Sequence, residues 1–323
     1  MTMENLFYEL MQVAVGQLDC LSRGPSPEEW HALYQTARQQ SVTGVCYKGV
    51  ERLFEFGLRG PQDVSIDWMS EAEDIREANE TTDKRSTTIL AKLSERKIYS
   101  TLVLGQGVAR DYDADIRELR QPNGIDVFVD CGWQKAVKFV QQTGQQEVRH
   151  RHQAVWLLTW QDTPVRLRTQ VVYCKNPWKN AVVHQWFRQN RECLFTDSNG
   201  MTTPTADMNI VIALLTLYNA MMYERVDMRM LMDCFFILKK KNGSFGMFKG
   251  GMTAEKVMRS FGMLSFSRGV MWIMQEVFGM RREQLPFNPN ETEGRFVLRQ
   301  VMEGRHVWQL CKHYPFQMIW NIK

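Results

Sequence analysis

The densest run of chemistry-bearing residues lies at positions 100–131, STLVLGQGVARDYDADIRELRQPNGIDVFVDC. A short apolar run from Thr101 to Leu104 leads into a Gly105-Gln106-Gly107 turn. A charged loop follows, and a second apolar run, Ile125 to Val129, carries one acid, Asp126. Strand, glycine turn, loop and acid-bearing strand form a layout suited to phosphate or metal chemistry. Amides of a glycine turn can approach phosphate oxygens, and a strand carboxylate can hold a hard cation. Three further acids, Asp111, Asp113 and Asp115, alternate along the loop and read as an exposed acidic stretch.

Other chemistry is poorly supported. Arg149-His150-Arg151-His152 has the residue types for phosphate or metal, but no acids stand at ligand spacing, so it reads as a solvated turn. His184, His306 and His313 are isolated, and no serine or cysteine has a legible base partner, which leaves a Ser-His-Asp hydrolase or a zinc enzyme without support. The seven cysteines never form a C-x-x-C pair and are odd in number, as expected of buried thiols in a reducing compartment.

The elements that must position Asp126 follow from hydrophobic period. Residues 5–53 read as three helices; Ser26-Pro27-Glu28-Glu29 gives the second an N-cap, a first-turn proline and acids at the positive end of the dipole. Residues 66–97 read as one long charged helix. After Cys131, residues 134–142 read as a helix, and the alternating runs 154–160 and 165–172 as a hairpin around Gln161–Pro164. Residues 176–199 read as a polar link. Helices are then expected at about 206–217, 224–239, 254–261, 266–278 and 291–309. The Lys239-Lys240-Lys241-Asn242-Gly243 run is a basic helix end with a glycine stop. Met221, Met222, Met228, Met230 and Met232 read as adaptable core, or as an interaction surface if exposed.

The expected fold class is therefore α+β: a mixed α/β core with a small mixed sheet at residues 98–200, between a helical region at 1–97 and another at 201–323. With 323 residues, 44% hydrophobic, 24% charged and a net charge of +4, the chain is long enough for a sizeable core and is not basic enough to call for nucleic acid. No window approaches the roughly 18 uninterrupted apolar residues of a membrane span, and MTMENLFYEL lacks a signal peptide's basic start and apolar run. A cytoplasmic setting with no membrane partner is the expectation.

The glycine turn, the tyrosine-bearing loop, Arg120, Ile125-Asp126-Val127 and the later hairpin together resemble the uncharacterised nucleotidyltransferase family of bacteria. That family lies within the superfamily that includes DNA polymerase β and the aminoglycoside nucleotidyltransferases. The likeness extends to residues 30–53 and 223–233 and to a tail carrying Val277-Phe278-Gly279, Leu285-Pro286-Phe287 and Gly304, so it covers nearly the whole chain. It implies a glycine turn cradling phosphates and two strand acids at i and i+2. A third acid from the neighbouring strand would complete a site for paired Mg2+, which would stabilise attack on the α-phosphorus of a nucleoside triphosphate.

By that likeness Asp126 is the second acid, a catalytic and metal-binding residue, and Gly105, Gln106, Gly107 and Arg120 contact nucleotide or phosphate; Arg166 and Arg168 are added as phosphate contacts on their own positive charge. Four positions depart from the pattern. Leu104 stands where a lysine is expected, Gly124 replaces the first acid in Asn123-Gly124-Ile125-Asp126, and Arg166 and Arg168 replace the third acid and a histidine. Asp130, four residues beyond Asp126 and so about 13 Å away, cannot close a metal pair about 4 Å apart. Arginines at i and i+2 share a strand face, repel Mg2+ and pair with Asp126, provided the hairpin register holds. The expectation is a catalytically impaired nucleotidyltransferase-like protein holding a nucleotide, another anionic small molecule or a protein partner. The alternatives are an active Mg2+-dependent transferase and a scaffold with a filled pocket.

Overall fold

The computed structural model describes residues 3–143, 149–151, 154–160, 162–198 and 201–319. The first part is helical: α1 (Met3–Ala14), α2 (Pro27–Gln39), α3 (Thr43–Glu55) and α4 (Gln62–Glu95). α2 starts on a capping box, in which Ser26 Oγ accepts from Glu29 N at 3.3 Å and the Glu29 carboxylate accepts from Ser26 N at 2.8 Å. α4 begins four residues before the expected position 66. It buries Val64, Trp68, Ala72 and Ile75 along one stripe and Ile89 and Leu93 further on, leaving its charges outward.

The middle holds β1 (Ser100–Leu102), two short helical turns α5 (Gly105–Ala109) and α6 (Ala114–Arg117), β2 (Ile125–Val129), α7 (Trp133–Gln142), β3 (Arg149–Arg151), β4 (Ala154–Trp160) and β5 (Thr163–Arg168). These strands form one mixed sheet in the order β1-β2-β5-β4-β3, with β2 and β5 parallel and the other neighbours antiparallel. The fold is the expected mixed α/β core between helical parts. β5 stops at Arg168 rather than continuing to Val172. His152, Gln161 and Asn199 lie outside the described residues, and of Arg149–Arg151 only the backbone pairing in β3 is described.

Period-2 alternation decides which face each residue of the sheet takes. Ile125, Val127 and Val129 of β2 join Val165 and Leu167 of β5, Ile89 and Leu93 of α4, and Ala136, Phe139 and Val140 of α7 in one apolar cluster. Asp126, Arg166 and Arg168 are left on the opposite face.

The C-terminal part is helical again: α9 (Ala206–Tyr223), α10 (Met228–Lys241), α11 (Ala254–Ser260), α12 (Leu264–Glu276), α13 (Glu291–Met302), α14 (Val307–His313) and α15 (Pro315–Met318), and residues of α9 and α10 face Asp126, Arg166 and Arg168. Three expectations need correction. The 176–199 link contains α8 (Pro177–Gln189), capped by Asn176 Oδ1 accepting from Lys179 N at 3.1 Å, and then β6 (Thr196–Ser198) paired with β7 (Met201–Thr203). α10 starts at Met228, because Asp227 Oδ1 caps it by accepting from Met230 N. The single helix expected over 291–309 is two helices, interrupted by Gly304 at φ +90°.

α9 alone among the described helices is long and apolar enough to cross a membrane, and 72% of it is buried inside the protein. It is a core helix, and most of the Met-rich stretch is core with it: Met221, Met222, Met228 and Met232 are at most 1% exposed, while Met230 is half-buried. The larger apolar cluster joins α1–α3 to α9–α13. All seven cysteines are free thiols.

Candidate anion-binding cleft

Between the outer face of β2–β5 and the α9–α10 corner lies a cleft of about 540 Å³. Its sheet side is built on register. The parallel pairing sets Asp126 beside Arg166 and Phe128 beside Arg168, so both guanidiniums reach one carboxylate. Arg166 donates from Nε to Asp126 Oδ1 at 2.8 Å and from Nη2 to Oδ2 at 2.5 Å; Arg168 Nε donates to Oδ1 at 2.6 Å. Arg166 Nη2 also reaches the Asn123 carbonyl at 2.5 Å. Asp126 is only 5% exposed, against 15% and 23% for the arginines. Burial pushes its carboxyl upward, but Arg168 and Arg166 together outweigh burial and hold it down to about 2.

The opposite side is organised by a second buried pair. Arg120, 2% exposed, donates from Nε and Nη2 to the two oxygens of Asp233 at 2.7 and 2.8 Å. Tyr112 OH donates to the same Asp233 Oδ1 at 2.7 Å, and its ring stacks on Phe236 at 4.0 Å. Burial first, then the Asp233 charge, drives the Tyr112 hydroxyl far above its ordinary value, so it stays a donor. Asn79 of α4 holds the loop from behind, donating to the carbonyls of Glu118 and Arg120 at 2.7 and 2.6 Å. Glu224, Arg225, Asp227 and Arg229 line the rim.

The glycine turn is only partly a cleft element. Gly105 lines it. Gln106 opens a helical turn and points back into α4, donating to Asn79 Oδ1 at 3.3 Å. A Cβ at Gly107 would lie 2.5 Å from the Leu102 carbonyl oxygen, so that glycine serves close packing on β1. Leu104, which stands in place of a lysine, has φ +59° and ψ −168°, a region ordinarily left to glycine. Gly124, in place of an acid, has φ +74°, and a Cβ there would come 2.5 Å from the Pro164 carbonyl oxygen.

None of the loop acids reaches Asp126. Asp111 takes Lys240 at 2.8 Å and Asn209 at 3.1 Å, Asp113 takes Lys239 at 2.6 Å, and Asp115 takes Arg52 at 3.1 Å. Asp130 pairs with Arg191. Among the described residues no three His, Cys, Asp or Glu side chains group as a metal-ligand set. Both oxygens of Asp126 already accept from guanidiniums. This donor set does not fit Mg2+, a cation that needs several oxygen ligands and no fixed positive charge beside it. Asp233 and Arg229 were not legible as cleft residues, nor Tyr112 as the buried partner of Asp233; the 223–233 segment carried a family likeness but no role for its acids.

A small mixed sheet with an acid on an inner strand, facing a helical corner across a cleft, is the layout of a nucleotidyltransferase-like protein. The family model described as uncharacterised nucleotidyltransferase matches residues 26–279, and the chain belongs to that family. The searches of curated proteins and of solved structures returned no match.

Proposed function

We propose that this nucleotidyltransferase-like protein holds an anionic small molecule, such as a nucleotide, in the cleft without metal-dependent transfer. The observation that carries the reading is the double engagement of Asp126 by Arg166 and Arg168. Where family chemistry calls for carboxylates that gather cations, this strand pair presents fixed cations instead. Gly105, Arg120, Arg166 and Arg168 are the proposed contacts, and Asp126 is the residue that orients the two arginines. The open cleft speaks against a filled, purely structural pocket. Seven free thiols support a cytoplasmic setting.

Calorimetric titration with ATP, GTP, CTP and UTP, with and without Mg2+, tests this. Binding that is indifferent to Mg2+ and lost in Arg166→Ala is the expected result. Binding that requires Mg2+ and disappears in Asp126→Ala, together with pyrophosphate release, would establish the active transferase instead.

A further inference from the structure

The cleft also restricts which anion it takes, an inference that rests on the anion-binding reading above. Among the described residues that line it, five arginines stand against four carboxylates, a surplus of one positive charge. Asp126 is shared by two guanidiniums, and Asp233 is taken up by Arg120. A nucleoside triphosphate is ordinarily met by metal ions that neutralise its several charges, and this donor set does not fit them. A phosphate monoester, at about −1.5 to −2 near neutral pH, matches the fixed charge far better.

Size and polarity point the same way. At about 540 Å³ the cleft has the volume of a site for a whole organic molecule and exceeds what a bare oxyanion fills. Away from the arginines its wall is apolar and partly small: Leu104, Val108, Val171, Val172, Ala213 and Ala220. Ala213 and Ala220 lie seven residues apart, two turns along one face of α9, where larger side chains would close the space. Arg120 Nη1 and Thr216 Oγ1, both on residues lining the cleft, are buried and make no hydrogen bond among the described residues. A buried unpaired donor is costly unless something accepts from it.

We propose that the cleft binds, without a metal, an organic phosphate monoester: one phosphate on Arg166 and Arg168, and an apolar body against α9. It does so in preference to a nucleoside triphosphate.

The full chain is titrated in EDTA with AMP, GMP, CMP, UMP, ATP and inorganic phosphate. At least one monophosphate is expected to bind about tenfold or more tighter than both ATP and inorganic phosphate. Arg168→Gln, checked for folding by circular dichroism, is expected to weaken that monophosphate about tenfold or more. Ala213→Leu, which fills the apolar wall and touches no charge, is expected to weaken the monophosphate and leave inorganic phosphate unchanged. ATP binding as tightly as every monophosphate overturns the charge match while leaving the anion-binding reading standing. Inorganic phosphate binding as tightly as the monophosphates, or an Ala213→Leu variant with unchanged affinity, overturns the organic-body assignment. Failure of every probe to bind overturns both the proposal and the reading beneath it.

Discussion

Arg166 sits directly across from Asp126 in the parallel β2–β5 ladder and closes a two-pronged contact, Nε to Oδ1 at 2.8 Å and Nη2 to Oδ2 at 2.5 Å. Position in the sheet and position in the cleft are here one fact. A shift of one residue in register would turn both arginines away and leave a buried carboxylate alone.

The first prediction concerns that pair. Removing one member of a buried ion pair leaves the other charge uncompensated, at a cost of about 3–5 kcal/mol. Arg168 still reaches Asp126 when Arg166 is removed, whereas loss of Asp126 takes the shared counter-charge from two neighbouring guanidiniums, so Asp126→Ala should destabilise the fold more than Arg166→Ala does. The double variant should lose less than the two singles added together, by about 1–3 kcal/mol. Urea unfolding of the four proteins measures this; additive losses would show that the two residues act independently.

The second prediction is a pH dependence with a definite sign. The folded Asp126 carboxyl is held down to about 2 against an ordinary 3.8. Its contribution is therefore present above about pH 4 and is lost as pH falls toward 2, on the order of 2 kcal/mol in all. Asp126→Asn should flatten stability between pH 4 and 2 relative to the wild type. Equal acid sensitivity in the two proteins would rule the effect out.

The third prediction falls on the far wall. Asp233 takes both Arg120 and the Tyr112 hydroxyl. Asp233→Asn should cost about 3–5 kcal/mol, because Arg120 is then left buried without a counter-charge. Tyr112→Phe, which removes one hydrogen bond to a charged acceptor and keeps the stacked ring, should cost about 1.5–3 kcal/mol. Thermal and chemical unfolding should rank the two in that order.

The fourth prediction asks whether the missing acid can be restored. Gly124→Asp meets the Pro164 carbonyl oxygen 2.5 Å from its Cβ and a φ of +74°, so the substitution should lower stability by a few kcal/mol. It should bring no stabilisation by Mg2+ in a thermal shift assay. A rise in melting temperature with Mg2+ would mean that the metal site can be rebuilt by one residue.

Local signals in the sequence translated well. Ser26 and Glu29 announced α2 through chemistry confined to four residues, and the alternation of Val165-Arg166-Leu167-Arg168 gave the arginines their common face. The start of α8 carried an equally local signal, Asn176-Pro177, hidden because the polar composition that follows resembles a link. Partners distant in the chain were another matter. Arg120 and Asp233 are 113 residues apart, and neither residue's neighbours specify the other. Gln106 and Gly107 were legible as a turn, but the direction of that turn depends on Asn79 of α4 and on β1, which local pattern does not encode.

Gln40, at the end of α2, donates to the Val301 carbonyl 261 residues later and accepts from Met228 N, and Gln12 of α1 reaches the Val277 carbonyl. A ribosome adding about 5–20 residues per second needs roughly 13–50 s to cover the first of those separations. During that interval the apolar faces of α1–α3 have emerged while their partners are still unmade. The N-terminal helices therefore wait for their partners with apolar surface uncovered, and truncation within α12 or α13 should yield insoluble protein rather than a smaller folded one.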